Sequence, residues 1–197
     1  MKLAAAARAL NSANGMRHAP FSLAFLTDRR RIAHPELVLR VLPPGAALIY
    51  RDYDDPRRAA ISRHLATISK RRGVLFLLGA DAALAEEVGA DGVHLPARAL
   101  SSPPVRCNAR ILTASCHNKD ELQRAATAGA HIAFLGPVFA TASHPDADYM
   151  GVSAFKSLAR DAPLAVMALG GVTPGAARLL NGANIAGFGA IGAFSPD

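Results

Sequence analysis

Three kinds of residue in this sequence have the chemistry to hold an anion or move a proton. The first is glycine. Gly170-Gly171-Val172-Thr173-Pro174 follows an apolar run and leads into a helical pattern starting near Pro174, so bare backbone amides and the positive end of a helix could face a phosphate. Gly187, Gly189 and Gly192 recur in the next apolar run. Their competing reading is that they only permit tight turns or close packing. The second is Arg51, at the end of the apolar run Ala46 opens. Its guanidinium can contact two oxygens at once, or it forms a salt bridge to Asp28, Asp52 or Asp54. The third is His94, which ends another apolar run and is either an acid, base or ligand contact or a satisfied core histidine. His117 could share a mouth with Ser115, or cap a helix entered at Asn118; the second reading is favoured. Cys116 and His117 make no nucleophilic pair, because adjacent strand residues point to opposite faces.

The elements that must position these groups follow from hydrophobic patterning. Eight short apolar stretches rich in strand formers lie at 21–27, 46–51, 74–80, 91–95, 110–115, 132–136, 164–170 and 186–194. Helical patterns occupy 35–42, 56–72, 81–88, 118–128, 152–159 and 174–180. Asp81 offers a cap, and Asn118 with Glu121 has capping-box spacing. After Leu95, Pro96, Pro103 and Pro104 allow at most a short helical turn. Successive right-handed βα units of this size predict an α/β fold, a closed parallel (β/α)8 TIM barrel. The continuous apolar strands suit a sheet covered on both faces. An open doubly wound sheet is the alternative, without a GxGxxG after its first strand. In a barrel the ligand meets the C-terminal strand ends, with phosphate against the loops after strands seven and eight. Both glycine clusters fall there, which favours phosphate binding over packing. Residues 1–20 read as an N-terminal helical extension filling the outer position that no helix after strand eight would occupy, and 21–197 as one barrel domain.

Composition limits the remaining possibilities. Of 197 residues, 51% are hydrophobic and only two are Cys, enough for one large core but not for a disulfide framework or a zinc site. A reducing cytoplasm is the plain expectation. No apolar run approaches the roughly 20 residues of a membrane helix. The Ala-rich, basic start faintly resembles a transit peptide, but Arg8 interrupts any secretory core. Residues 1–72 carry 14 basic and 5 acidic side chains, and 73–197 carry 8 and 10. That surplus points to an anionic partner. The clusters Arg29-Arg30-Arg31, Arg57-Arg58 and Lys70-Arg71-Arg72 read as a solvated basic face rather than a nucleic-acid footprint, which needs a continuous stripe and aromatic or groove-reading partners.

Four segments, in order, resemble the thiamine phosphate synthase and TenI family of barrels: Leu23-Ala24-Phe25-Leu26-Thr27-Asp28, Gly89-Ala90-Asp91-Gly92-Val93-His94-Leu95, Gly136-Pro137-Val138-Phe139-Ala140-Thr141 and Ala168-Leu169-Gly170-Gly171-Val172-Thr173-Pro174. The resemblance runs from about Leu23 to Phe194. It implies a place in thiamine biosynthesis, where the synthase joins hydroxymethylpyrimidine diphosphate to a thiazole phosphate and releases pyrophosphate. That dissociative chemistry leaves the protein mainly positioning and charge stabilisation to supply. The resemblance further implies that backbone around Gly170, Gly171, Ile191 and Gly192 holds the thiazole phosphate. Thr141 and Ser143 match a hydroxyl pair in the loop after strand six, and Ser115 matches a pyrophosphate-contacting serine. His94, Arg51 and Ser115 are thus the candidate catalytic residues. The partner expected is a small phosphorylated substrate, with no nucleic acid and no membrane, and the resemblance allows a homodimer.

The departures from the family pattern are equally specific. Where the second strand usually reads Gln-x-Arg-x-Lys, this chain has Ile49-Tyr50-Arg51-Asp52-Tyr53. The usual Asn-Asp after strand three is Gly79-Ala80, and Gly-Gln-x-Asp after strand four is Pro96-Ala97-Arg98-Ala99. Both metal-binding Asp positions are therefore alanine, and magnesium, which demands oxygen ligands, would need a substitute carboxylate from Asp52, Asp54, Asp55 or Asp81. Otherwise no cofactor or metal is expected. The lysine expected after Ser143 is His144. A TenI-like thiazole tautomerase, needing no pyrophosphate-leaving machinery, is the alternative, although its catalytic His position holds Pro137. A third alternative is a non-catalytic phosphate-ligand binder.

Overall fold

The computed structural model describes residues 2–101, 109–141 and 148–192. Eight strands form one closed parallel barrel in chain order: β1 (Leu23–Leu26), β2 (Ala47–Tyr50), β3 (Leu75–Gly79), β4 (Gly92–Leu95), β5 (Ile111–Cys116), β6 (Ile132–Leu135), β7 (Ala165–Ala168) and β8 (Ile185–Ala190). Closure by β8 on β1, with Ala24 opposite Gly189 and Phe25 opposite Ala190, removes the open-sheet alternative. The outer layer holds α1 (Lys2–Ala13), α2 (Pro35–Val38), α3 (Arg58–Arg72), α4 (Ala82–Glu87), α5 (Lys119–Thr127) and α6 (Gly151–Asp161), with 3₁₀ turns at Ala97–Ser101 and Ala176–Leu180.

Alternation along each strand divides the core in two. Residues such as Phe25, Leu48, Leu78, Val93, Leu112 and Phe188 pack outward against the helices. Ala24, Leu26, Ala47, Ile49, Leu77, Ile132, Phe134 and Met167 fill the interior. Met16 and Phe21 close the bottom of that interior, and the Phe21 ring stacks 6.4 Å from that of Phe134.

Local signals explain the element ends. Asp81 accepts from the Leu84 amide and Asn118 from the Glu121 amide, each at 2.9 Å, so both predicted caps form. Glu121 turns back to the amide of His117 rather than that of Asn118. Gly73 ends α3 in the left-handed region at φ 64°. Two helical expectations are corrected. The helix expected at 174–180 is only a 3₁₀ turn over Ala176–Leu180, and that at 35–42 is α-helical only over Pro35–Val38. Strand seven ends at Ala168 rather than 170, because Gly170 and Gly171 at φ 94° and 66° leave the sheet. Of the eighth expected strand, 193–194 lie outside the described residues.

The N-terminal helix occupies the outer position beside β8 and β1. Its anchor is polar. Asn11 is buried and donates to the carbonyls of Met16 (2.8 Å) and Ala186 (2.7 Å). Asn14 donates to Ile185 O and accepts from the Gly182 amide, both at 2.9 Å. Removing Asn11 takes this donor from Ala186 O, while Met16 O keeps the Ala19 amide at 3.0 Å; a buried group left unsatisfied costs about 1–3 kcal/mol. Asn11→Leu is therefore expected to lower unfolding free energy by roughly 1–3 kcal/mol, read as a fall in urea midpoint at constant slope; an unchanged midpoint would show that α1 is not fastened this way.

Candidate active site

The C-terminal ends of the strands open into a cleft of about 850 Å³. Its floor is Phe134, with Leu169 and Gly189 beside it; its walls include Phe139, Tyr149 and Ile191. A Cβ on Gly189 would lie 2.7 Å from Leu26 and 3.1 Å from Phe134, so the floor closes only because that position lacks a side chain.

On one side stand the β7 and β8 loops. Gly170 and Gly171 pack so tightly on the β6 loop that added Cβ atoms would meet Pro137 at 2.8 Å and Ala140 O at 2.5 Å. Neither of their amides donates to a protein acceptor among the described residues. Both have positive φ angles and line the cleft. The 3₁₀ turn that follows is too short to supply a helix dipole, so the amides themselves carry this wall's affinity for anions. Gly192 also lines the cleft, and a Cβ there would meet nothing within 4 Å. Gly187 does not belong to this group: its Cβ would fall 1.9 Å from Ser22 O, which makes it a packing glycine at the β8–β1 seam.

On the opposite side are arginines. Arg31, Arg51 and Arg98 all line the cleft. Arg51 is fastened to the β1 end, its amide donating to Thr27 Oγ1 at 2.8 Å and its Nε to Thr27 O at 3.3 Å. Among the described residues no carboxylate lies within 4 Å of its guanidinium, so the salt bridge to Asp28, Asp52 or Asp54 is not realised, while Arg31 pairs with Asp28 at 3.3 Å. Arg98 lies 4.7 Å over the Tyr53 ring.

His94 stands one layer lower. It is fully buried, with Nδ1 2.9 Å from Thr113 Oγ1 and Nε2 2.9 Å from Ser115 Oγ, and its ring meets Phe134 edge-on at 5.7 Å. The cleft is lined by Ser115 above it, not by His94 itself. Strand alternation puts Thr113 and Ser115 on the same interior face, which is why one imidazole reaches both. Burial, helped by the Arg51 charge, pushes the His94 pKa down to about 3. It is thus a neutral ring, donating with one nitrogen and accepting with the other, and it orients Ser115 rather than reaching into the cleft. His117 is exposed at the rim, its Nδ1 3.0 Å from Glu121.

Thr141 lines the cleft as well; Ser143 and His144 lie outside the described residues. Sequence reasoning missed Tyr53, Phe139 and Tyr149, whose role depends on packing across loops. For magnesium the donor set does not fit: the side chains of Ala80 and Ala99 carry no oxygen, and no group of three His, Cys, Asp or Glu side chains gathers among the described residues. The substitutes are committed elsewhere. Asp52 accepts from the Arg29 amide, Asp55 pairs with Arg29 and Arg57, and Asp81 caps α4. Asp54 is exposed and absent from the cleft lining.

A closed parallel eight-stranded barrel with a cleft at the C-terminal strand ends, lined by glycines of β7 and β8 and by arginines, places the chain in the TIM-barrel class. Comparison with known proteins narrows the class. The thiamine monophosphate synthase family matches residues 23–194, and the chain belongs to that family, whose work lies in thiamine biosynthesis. It is 37% identical over 157 residues to a thiamine-phosphate synthase of Chromobacterium violaceum, covering 76% of this chain and 74% of that one. Against a longer thiamine-phosphate synthase of Thermosynechococcus vestitus it is 33% identical, covering 70% of this chain and 41% of the relative. Among solved structures, a thiamine phosphate pyrophosphorylase from Pyrococcus furiosus superimposes with a TM-score of 0.70 at 26% identity, over 93% of this chain and 89% of that one. No helix among the described residues is long and apolar enough to cross a membrane.

The His94 environment has a measurable consequence. An unfolded histidine takes a proton near 6.5, the folded one only near 3, so between those values the unfolded chain binds the extra proton. Stability is fully present above 6.5 and falls as pH drops through that window, by up to about 1.4 kcal/mol per pH unit. Relative to the parent, His94→Asn is expected to flatten this acid limb in urea midpoints measured from about pH 4 to 7. An identical acid limb in both proteins would remove His94 as its source.

Proposed function

We propose that the cleft binds a phosphorylated thiazole, with the phosphate on the amides of Gly170, Gly171, Ile191 and Gly192 and the ring against the aromatic floor. The single observation carrying this reading is that Gly170 and Gly171 line the cleft with positive φ angles and with amides that donate to no acceptor among the described residues. Fixed amide dipoles need no reorganisation to receive an anion, and Phe134, Phe139 and Tyr149 supply flat apolar surface for a heteroaromatic ring. Thr141 and Ser143 belong to the same reading as hydroxyl contacts.

The transferase half is built differently. Joining the thiazole to hydroxymethylpyrimidine diphosphate requires charge stabilisation for departing pyrophosphate, and Ala80 with Ala99 gives magnesium no ligand oxygens. These residues support thiazole-phosphate recognition more directly than metal-assisted transfer. A tautomerase reading would have to draw its proton carrier from the His94–Ser115 pair, since Pro137 offers none.

Binding only the native state raises thermal stability. Thiazole phosphate in large excess is expected to raise the melting temperature by several degrees, equally with magnesium or with a chelator, whereas the unphosphorylated thiazole alcohol is expected to do far less. Equal effects of the two thiazoles, or none, would overturn the reading. Gly192→Leu separates binding from folding: its side chain enters open space, so the apo melting temperature should hold while thiazole-phosphate affinity drops at least tenfold. Gly171→Ala, strained at φ 66° and 2.5 Å from Ala140 O, should instead lower the apo melting temperature itself.

A further inference from the structure

We propose that the arginine side of the cleft, whose residues do not fit magnesium, takes phosphate or diphosphate oxygens directly on Arg51 and Arg98, with Arg31 beside them and no divalent cation between. The inference rests on the cleft being a substrate site, as proposed above, but uses different residues.

Its first support is a coupled exchange at the ends of β2, β3 and β4. The Tyr53 ring stands where a side chain at residue 79 would be: a Cβ on Gly79 would lie 2.8 Å from Tyr53 Cε1 and 3.0 Å from Tyr50 O. Arg58 fixes this arrangement. Its guanidinium donates to the carbonyls of Asp52 and Gly79 and lies 5.5 Å over the Tyr53 ring. Arg58 thereby spends its donors on backbone, and the ring it holds becomes the seat for Arg98 at 4.7 Å. A cation resting on an aromatic face keeps its charge and its N–H donors for another partner.

The second support is the charge ledger of this wall. A phosphate carries about −1.5 to −2 charges at neutral pH, so holding one in a half-enclosed cleft requires fixed positive charge. Among the described residues Arg51 and Arg98 form no ion pair within 4 Å, in contrast to Arg29, Arg31 and Arg57, which pair with Asp55 and Asp28. Burial lowers the Arg51 pKa, and the raising effect of Tyr53, Asp28 and Asp52 does not cancel it. Two guanidinium groups match the charge of one magnesium ion and present planar N–H pairs that fit phosphate oxygens. Among the described residues the nearby carboxylates are held by other partners: Asp28 pairs with Arg31, Asp52 accepts from the Arg29 amide, Asp55 pairs with Arg29 and Asp81 caps α4, and neither Ala80 nor Ala99 adds one. Alanine at 80 and 99 and the Arg98 guanidinium on the Tyr53 ring therefore act in the same direction, toward direct anion binding.

The probe is inorganic pyrophosphate, titrated by calorimetry into the full chain carrying Gly192→Leu so that the glycine wall is blocked. Binding in chelator is expected, with no tightening when magnesium is added, and with affinity falling as salt rises. Arg98→Gln, an exposed change with little bearing on the core, should weaken it at least tenfold, and Arg51→Gln more; Arg98→Lys should restore part. Binding that appears only with magnesium, or that is unchanged in Arg98→Gln, would overturn the proposal. Loss of pyrophosphate binding with thiazole-phosphate stabilisation intact in the parent overturns this subsite alone. The reverse pattern supports the subsite and overturns the thiazole reading alone.

Discussion

The seam between β8 and β1 is the constraint on which the rest depends. A parallel barrel has no free edges only if its last strand meets its first in register, and here the approach is so close that Gly187, at φ 154°, would place any Cβ 1.9 Å from Ser22 O. The Phe188 amide then donates to Ser22 O at 3.1 Å. Once the seam is closed, the interior is narrow. Small residues at Ala24, Ala47 and Ala186 make room for Phe21, Phe134 and Met167, and Phe134 becomes at once the top of the core and the floor of the cleft. The side chain that fills the barrel thus also sets the depth at which a ligand stops.

The two walls of the cleft reach anion chemistry by opposite routes. The β7 and β8 side uses backbone, and its glycines are required both by the close passage of the β6 loop and by the need to expose amides. The β2 to β4 side uses side chains held in place by one another: Arg58 on two carbonyls, Tyr53 over Gly79, Arg98 over Tyr53. Beneath both lies His94, kept neutral by burial and joined to Ser115. Its part is to give a cleft hydroxyl a fixed orientation, which a freely rotating serine would lack.

Strand order, barrel closure and the glycine wall were legible in sequence because each rests on local pattern: apolar runs, capping residues and glycine where the chain must turn. What the sequence hid depends on contacts between distant segments. The runs at 174–180 and 35–42 look helical by composition, yet tertiary packing leaves only a 3₁₀ turn and a four-residue helix. His94 ends a strand, as expected, but whether its ring enters the cleft or lies beneath depends on Thr113 and Ser115 from the neighbouring strand. Tyr53 looks like a lost lysine until its ring is seen over Gly79. The uneven charge of the chain was the least direct signal, since most of its basic surplus sits on outer helices or in ion pairs.

The polar anchor of α1 sets an order of events in folding. Asn11 finds its acceptor at Ala186 and Asn14 at Ile185, so one of the first helices made has its partners in the last strand. Contacts of such separation carry a high loop-closure cost and form late. During synthesis, the apolar face of Ala4, Ala7 and Leu10 waits uncovered while nearly the whole barrel is produced, which makes it the natural surface for a chaperone to hold.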